Sequence, residues 1–143
     1  MKNGDIGALS KVDFITIHLN NKKYVVLEYS LNNSLIKKGY FVEIEAGTKC
    51  SLYSKKYKTL QEAQKAKSTF HPPTPAMFLN HTDVYLKFAH KKPQKIKLTK
   101  KKVLNSFDSN YTSLLKKFVK DNKLDLSKLE GLITLLKHYN QID

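Results

Sequence analysis

The sequence predicts an α+β fold: an antiparallel β-sheet of hairpins over residues 11–98, then a C-terminal subdomain of two to three short helices over residues 99–143. Three observations carry that prediction. Apolar side chains alternate with a two-residue period through much of the first two thirds, turn chemistry separates the alternating runs, and the period becomes helical near Thr99. At 143 residues the chain is expected to form one domain, large enough to bury a core without staples. Its single cysteine, Cys50, excludes an internal disulfide framework. No apolar run approaches the ~18 residues of a membrane-crossing helix.

Residues 1–10 contain Gly4 and Gly7 and show no periodicity, so they read as a flexible lead-in. From Val12 to Leu19, Ile15, Ile17 and Leu19 alternate with Thr16 and His18, as in a half-buried strand. Asn20, Asn21 and Lys22 supply a turn, and the Tyr- and Val-rich run Lys23 to Tyr29 completes a hairpin. A polar stretch at Asn32, Asn33 and Ser34 leads to Gly39. Tyr40 to Ile44 is a further strand, Glu45 to Thr48 a turn, and Cys50 to Tyr53 the start of another strand. Thr59 to Lys67 is built from helix formers without an apolar face, which suits a short surface helix or a loop.

His71 to Pro75 holds three prolines and reads as an exposed connector. A second hairpin follows, from Asp83 to Phe88 and from Gln94 to Leu98 around a turn at His90 to Pro93. Thr99 is placed to cap a first helix carrying Val103, Leu104 and Phe107. Asp108 or Ser109 is placed to cap a second, with Tyr111, Leu114, Leu115, Phe118 and Val119 on one stripe, ended by Asp121 and Asn122. Ser127 and Glu130 have the spacing of a capping box for a third, striped by Leu129, Leu132, Ile133, Leu136 and Tyr139. The helices carry too little apolar surface to stand alone and should dock on the sheet through Phe107, Phe118 and Leu136.

Charge is the most unusual feature of the composition. The formal net charge is +14, and all 26 basic residues are lysines. Arginine grips phosphates and base edges with a planar fork, whereas lysine is a hydrated point charge, so an arginine-free chain is a poor fit to a sequence-specific DNA reader. Residues 55–102 hold thirteen lysines against two acids, Glu62 and Asp83, which concentrates most of the excess in the middle third. Such a block suits either a solvated surface or a face for an anionic partner.

Motifs for chemistry are absent: no glycine-rich phosphate loop, no HExxH and no nucleophile elbow. Cys50 lies inside a strand pattern, where an inert buried thiol is expected. His71, His81 and His90 recur about ten residues apart and His81 with Asp83 could share a metal, but no group has the tight spacing of a structural zinc site. Tyr24, Tyr29, Tyr40, Tyr53, Tyr57 and Tyr85 lie near lysines, a pattern compatible with a base-stacking platform or with cross-strand packing.

The segments Lys101–Leu104, Phe107, Leu114–Asp125 (LLKKFVKDNKLD) and Leu135–Asn140 (LLKHYN) resemble the tail of a family of small exported proteins of Bacteroidetes-type bacteria. Members of that family end in a pattern similar to L-K-x-F-I-K-E-N-K-L followed by L-x-x-Y-Y-N. Val12–Ile17, Gly39–Ile44, Gly47 and Ser51–Tyr53 are similar to its middle portion, so the likeness spans most of residues 11–140. The chain departs from the pattern at His138 and in opening without a signal peptide. The resemblance implies export across the inner membrane, no known enzymatic activity and no agreed function.

The expected function is a non-enzymatic binding or structural protein of the bacterial envelope, periplasmic or extracellular, with its leader removed. Its partner would be an anionic polymer, a lipid headgroup or an acidic protein, met through Lys55, Lys56, Lys58, Lys91, Lys92, Lys95 and Lys97. The alternatives are a cytoplasmic nucleic-acid-binding protein using the same lysines, and a hydrolase whose site follows no recognised motif. No catalytic residue, cofactor or metal ligand is assigned.

Overall fold

A computed structural model describes residues 10–13, 15–31, 35–66, 68–70 and 72–142. Among them are six strands: β1 (Thr16–Leu19), β2 (Lys22–Leu31), β3 (Leu35–Glu45), β4 (Cys50–Gln61), β5 (Met77–Phe88) and β6 (Gln94–Ile96). Three helices follow: α1 (Lys100–Asn105), α2 (Ser109–Asp121) and α3 (Leu129–Gln141). The strands form one antiparallel sheet in chain order. The fold is α+β, a six-stranded meander followed by helices.

Local chemistry explains most element ends. Asn20 and Asn21 both take left-handed backbone angles, φ 50° and 59°, the pair that a two-residue hairpin turn needs. The Thr99 hydroxyl accepts from the Lys102 amide at the start of α1, as expected. Asp108 occupies the cap position of α2, although its carboxylate makes no capping bond, and Asn122 ends that helix.

Several expectations are corrected. The strand expected from Val12 begins at Thr16 instead (Phe14 lies outside the described residues), because residues 10–13 lie beside β3: Asp13 pairs with Lys38 and Ser10 O accepts from the Tyr40 hydroxyl. The β3, β4 and β5 strands begin or end five to eight residues beyond the predicted runs. Those extensions mix polar residues with apolar ones on both strand faces (Leu35, Ile36, Tyr57, Leu60, Met77, Phe78 and Leu79), so no clean two-residue period marks them, but they pair across their hairpins. Thr59 to Gln61 is thus strand, not helix or loop: continuous pairing of Thr59 with Leu79 through Gln61 with Met77 overrides helix propensity. The capping box at Ser127 does not form. Asp125 captures both the amide and the hydroxyl of Ser127, at 3.0 and 2.5 Å, so α3 starts one residue later, from Lys128, without a side-chain cap. The lead-in at residues 1–9 and His71 of the proline connector lie outside the described residues.

The main core lies between the helices and one face of β4 and β5. Cys50, Leu52, Val84 and Leu86 meet Val103, Leu104, Phe107, Leu115, Val119, Leu132, Leu135, Leu136 and Tyr139. Of the three residues expected to dock the helices, Phe107 and Leu136 are buried there. Phe118 is only half-buried and stacks on His138 of α3, at 3.8 Å between ring centres. Asn140 ties α3 to the sheet. Its carbonyl oxygen accepts from the Lys49 and Cys50 amides, and its nitrogen donates to the Cys50 and Leu136 carbonyls, all at 2.9 Å. Gly47 makes room, since a Cβ there would lie 2.1 Å from the Asn140 nitrogen.

The opposite face carries a second cluster of Tyr29, Phe41, Tyr53 and Tyr85. Tyr29 and Tyr85 belong to strands three places apart, yet their rings lie 6.1 Å apart. In a flat sheet such strands are about 14 Å apart, so the sheet curls around this face.

β3 and β4 pair only at Val42–Ser54, Glu43–Tyr53 and Glu45–Leu52. Beyond that joint the β2–β3 and β4–β5 hairpins continue as separate arms. A meander turns alternately at its two ends, so both hairpin tips lie at the same end of the sheet, away from the Gly47–Cys50 turn that α3 holds.

Candidate anion-binding surface

The seven lysines nominated from sequence do not gather into one site. Lys55 lies on the curled aromatic face, where its ammonium donates to the Tyr29 hydroxyl at 2.9 Å and sits 4.6 Å from the centre of that ring. Gly39 permits the approach, because a Cβ there would lie 3.0 Å from both Lys55 Cε and Tyr29 Cε1. Lys95 shares this mouth and is held by Asp83 at 2.7 Å, a hydrogen bond that raises its pKa above the usual lysine value. Both charges are thus partnered within the molecule. The mouth is a cleft of about 470 Å³ lined by Tyr29, Lys55, Tyr57, Asp83, Tyr85 and Lys95.

Lys91 and Lys92 stand on the β5–β6 turn, Lys91 beside the Phe88 ring and Lys92 at 3.8 Å from Glu28. Lys97 borders a second cleft beside β6 and α1, which Lys95 and Lys102 also line. Lys56 and Lys58 alternate with Lys55 and share a strand face with Leu52 and Ser54, the face on which the helices pack. Both are exposed, and neither has an ion-pair partner among the described residues.

A group not nominated from sequence converges more closely. Lys100 and Lys101 of α1 and Lys116 and Lys120 of α2 surround a cleft of about 540 Å³ floored by Leu104 and Asn105. No carboxylate lines it, and among the described residues none of the four lysines has an acid within ion-pair distance. Lys100 and Lys101 belong to the basic block, but Lys116 and Lys120 come from a segment whose charges nearly balance, six lysines against five acids over residues 103–143. The legible signal was their i, i+4 spacing, which puts both on one face of α2.

Comparison with protein-family models, curated proteins and solved structures finds no match to the chain.

Cys50, His81 and Asp83 are occupied or buried, whereas His18 and His90 are exposed. Cys50 is enclosed in the main core, and burial pushes its thiol up to about 12. His81 is bonded to the Thr59 hydroxyl at 2.7 Å and stacked on Tyr57, while Asp83 is paired with Lys95. Among the described residues no three potential metal ligands cluster. Tyr29, Tyr53 and Tyr85 are buried against Phe41, so their ring faces pack inside the protein. Among the described residues no helix is long and apolar enough to cross a membrane.

Proposed function

We propose that this protein is a non-enzymatic binding module for an anionic partner, working in the bacterial envelope on the periplasmic or extracellular side. The observation that carries the reading is the convergence of Lys100, Lys101, Lys116 and Lys120 around one cleft without a neutralising carboxylate. Four like charges around a shared cleft repel one another, and a bound anion relieves that repulsion. Lys56 and Lys58, exposed and without an ion-pair partner among the described residues, add basic character on the helix-bearing face of the sheet. The envelope assignment rests on the resemblance of the C-terminal segments to exported proteins. Burial of Tyr29, Tyr53 and Tyr85 takes three of the six tyrosines out of the stacking platform on which a single-stranded nucleic-acid binder would rely.

The test is retention on immobilised heparin across a salt gradient. Replacing Lys100, Lys116 and Lys120 with Glu should move elution to much lower salt, because each lost contact releases fewer counterions. Lys55→Gln, which alters a lysine already partnered by Tyr29, should move it little. Equal shifts from both variants would remove the cleft from the reading.

A further inference from the structure

Two basic clefts flank α1 and meet at one residue. On the α2 side lies the cleft of about 540 Å³ rimmed by Lys100, Lys101, Lys116 and Lys120. On the β6 side lies a cleft of about 370 Å³ bordered by Lys95, Lys97 and Lys102. Asn105, at the end of α1, lines both. Successive residues of a helix point about 100° apart, so Lys100, Lys101 and Lys102 fan around α1 and carry positive charge from one cleft to the other. No carboxylate lines either cleft. Among the described residues, only Lys95 of this set has an acid within ion-pair distance, Asp83 at 2.7 Å, and there the basic track ends.

The ridge between the clefts is small. A helix of six residues is about 9 Å long and, with its side chains, roughly 10–12 Å across. A compact anion fills one cleft and leaves the lysines of the other repelling one another. A flexible linear polyanion lies across the ridge and meets both, and the second contact is then made within one complex, at high effective concentration. The lining narrows the chemistry further. Among the described residues, none of the exposed large apolar side chains lines either cleft, whereas a protein partner needs apolar and aromatic anchors at an interface core, where lysine is depleted. No aromatic ring lines them, so a single-stranded nucleic acid finds no stacking surface there. What the walls offer besides charge is the side-chain amides of Gln94 and Asn105 and the Ser106 hydroxyl, a mixture of donors and acceptors that suits the hydroxyl groups of a sugar.

We infer that this track binds a linear acidic polysaccharide draped across α1, its anionic groups on the lysines of both clefts and its hydroxyls on Gln94, Asn105 and Ser106. The inference rests on the anionic-partner reading and names the partner. The experiment titrates the full chain with heparin-derived oligosaccharides, a disaccharide and an octasaccharide, by calorimetry over a series of salt concentrations. Two double variants empty the two sides in turn: Lys116→Gln with Lys120→Gln, and Lys97→Gln with Lys102→Gln. Each is expected to lower octasaccharide affinity about tenfold or more and to shrink its advantage over the disaccharide, because each removes one of the two linked contacts. The slope of log affinity against log salt, which follows the number of neutralised charges, should fall by roughly one to two in each. Lys22→Gln with Lys37→Gln, which removes the same charge far from α1, should change octasaccharide affinity less than about threefold.

Other outcomes overturn the proposal. Weakening by the Lys116 and Lys120 changes alone confines the ligand to one cleft, which removes the track and keeps the anionic-partner reading. Tighter binding of an oligothymidylate of equal charge than of the octasaccharide assigns the track to nucleic acid. Weakening by the Lys97 and Lys102 changes alone, or equal weakening by all three double variants, would sink the underlying reading as well, since the cleft between α1 and α2 would then hold nothing of its own.

Discussion

The two ends of the β4–β5 hairpin are built from the same pair of strands and live in different environments. At the base, Cys50, Leu52, Val84 and Leu86 are buried under three helices. Toward the tip, Leu60, Met77, Phe78 and Leu79 are exposed, although Gln61 still pairs with Met77 in unbroken register and Gln64 pairs with Thr74 beyond them. Backbone pairing is therefore continuous along the hairpin while side-chain burial is not. Pairing holds the tip in shape, and the helices determine which end carries the stability. An end that contributes little to folding is free to be shaped by a partner.

The largest effect that sharpens this contrast is expected from the base. Leu132→Ala or Leu115→Ala, each deleting a fully buried side chain, should cost about 2–5 kcal/mol in urea unfolding. Asn140→Ala comes next. It leaves the Lys49 and Cys50 amides and the Cys50 carbonyl without their side-chain partner, at about 2 kcal/mol. At the tip, Leu60→Ala should change stability by less than about 0.5 kcal/mol. A tip variant as costly as a base variant would break the contrast and place the arm inside the cooperative core.

A pH series sharpens the contrast in another way, because the strongly shifted groups are buried ones. Burial raises the Cys50 thiol from 9.0 to about 12, and burial followed by the neighbouring Asp83 charge raises Tyr85 from 10.0 to about 12. Both groups are neutral when protonated, and the folded state holds those protons more tightly than the unfolded chain. Their contribution is fully present below pH 9.0 and declines as pH rises toward about 12. Urea midpoints should fall across that window. Cys50→Ala should flatten part of the fall, and an unchanged slope would mean that the thiol does not report the core. The smallest effect expected is that of Lys116→Ala on stability, within about 0.5 kcal/mol, since its side chain is exposed at the rim of the basic cleft.

The helices and the hairpin order were legible because each rests on a pattern local to its own segment. The stripe Leu115–Val119 and the paired Asn20–Asn21 turn are complete within a few residues. The outer halves of β3 and β5 were not legible, since Lys37, Lys38, Asn80 and Thr82 bear no mark of a strand apart from the partner across the hairpin. The candidate site divides the same way. A count of lysines along the chain found the basic middle third. The cleft, however, joins Lys100 and Lys101 to Lys116 and Lys120 only through the packing of α1 against α2, which no linear count contains.

Asn140 also has a consequence for the order in which the protein is made. Its bonds to Cys50 join positions 90 residues apart, so translation produces the turn long before the side chain that closes it. Closing a contact of such length comes late and depends on what has already formed. Limited proteolysis of ribosome-stalled chains ending before and after Asn140 should show the Cys50 region protected only in the longer ones, and equal protection would remove the coupling. Until Asn140 has emerged, the polypeptide lacks the side chain that fastens its sheet to its helices, and the Gly47–Cys50 turn stays open to other contacts.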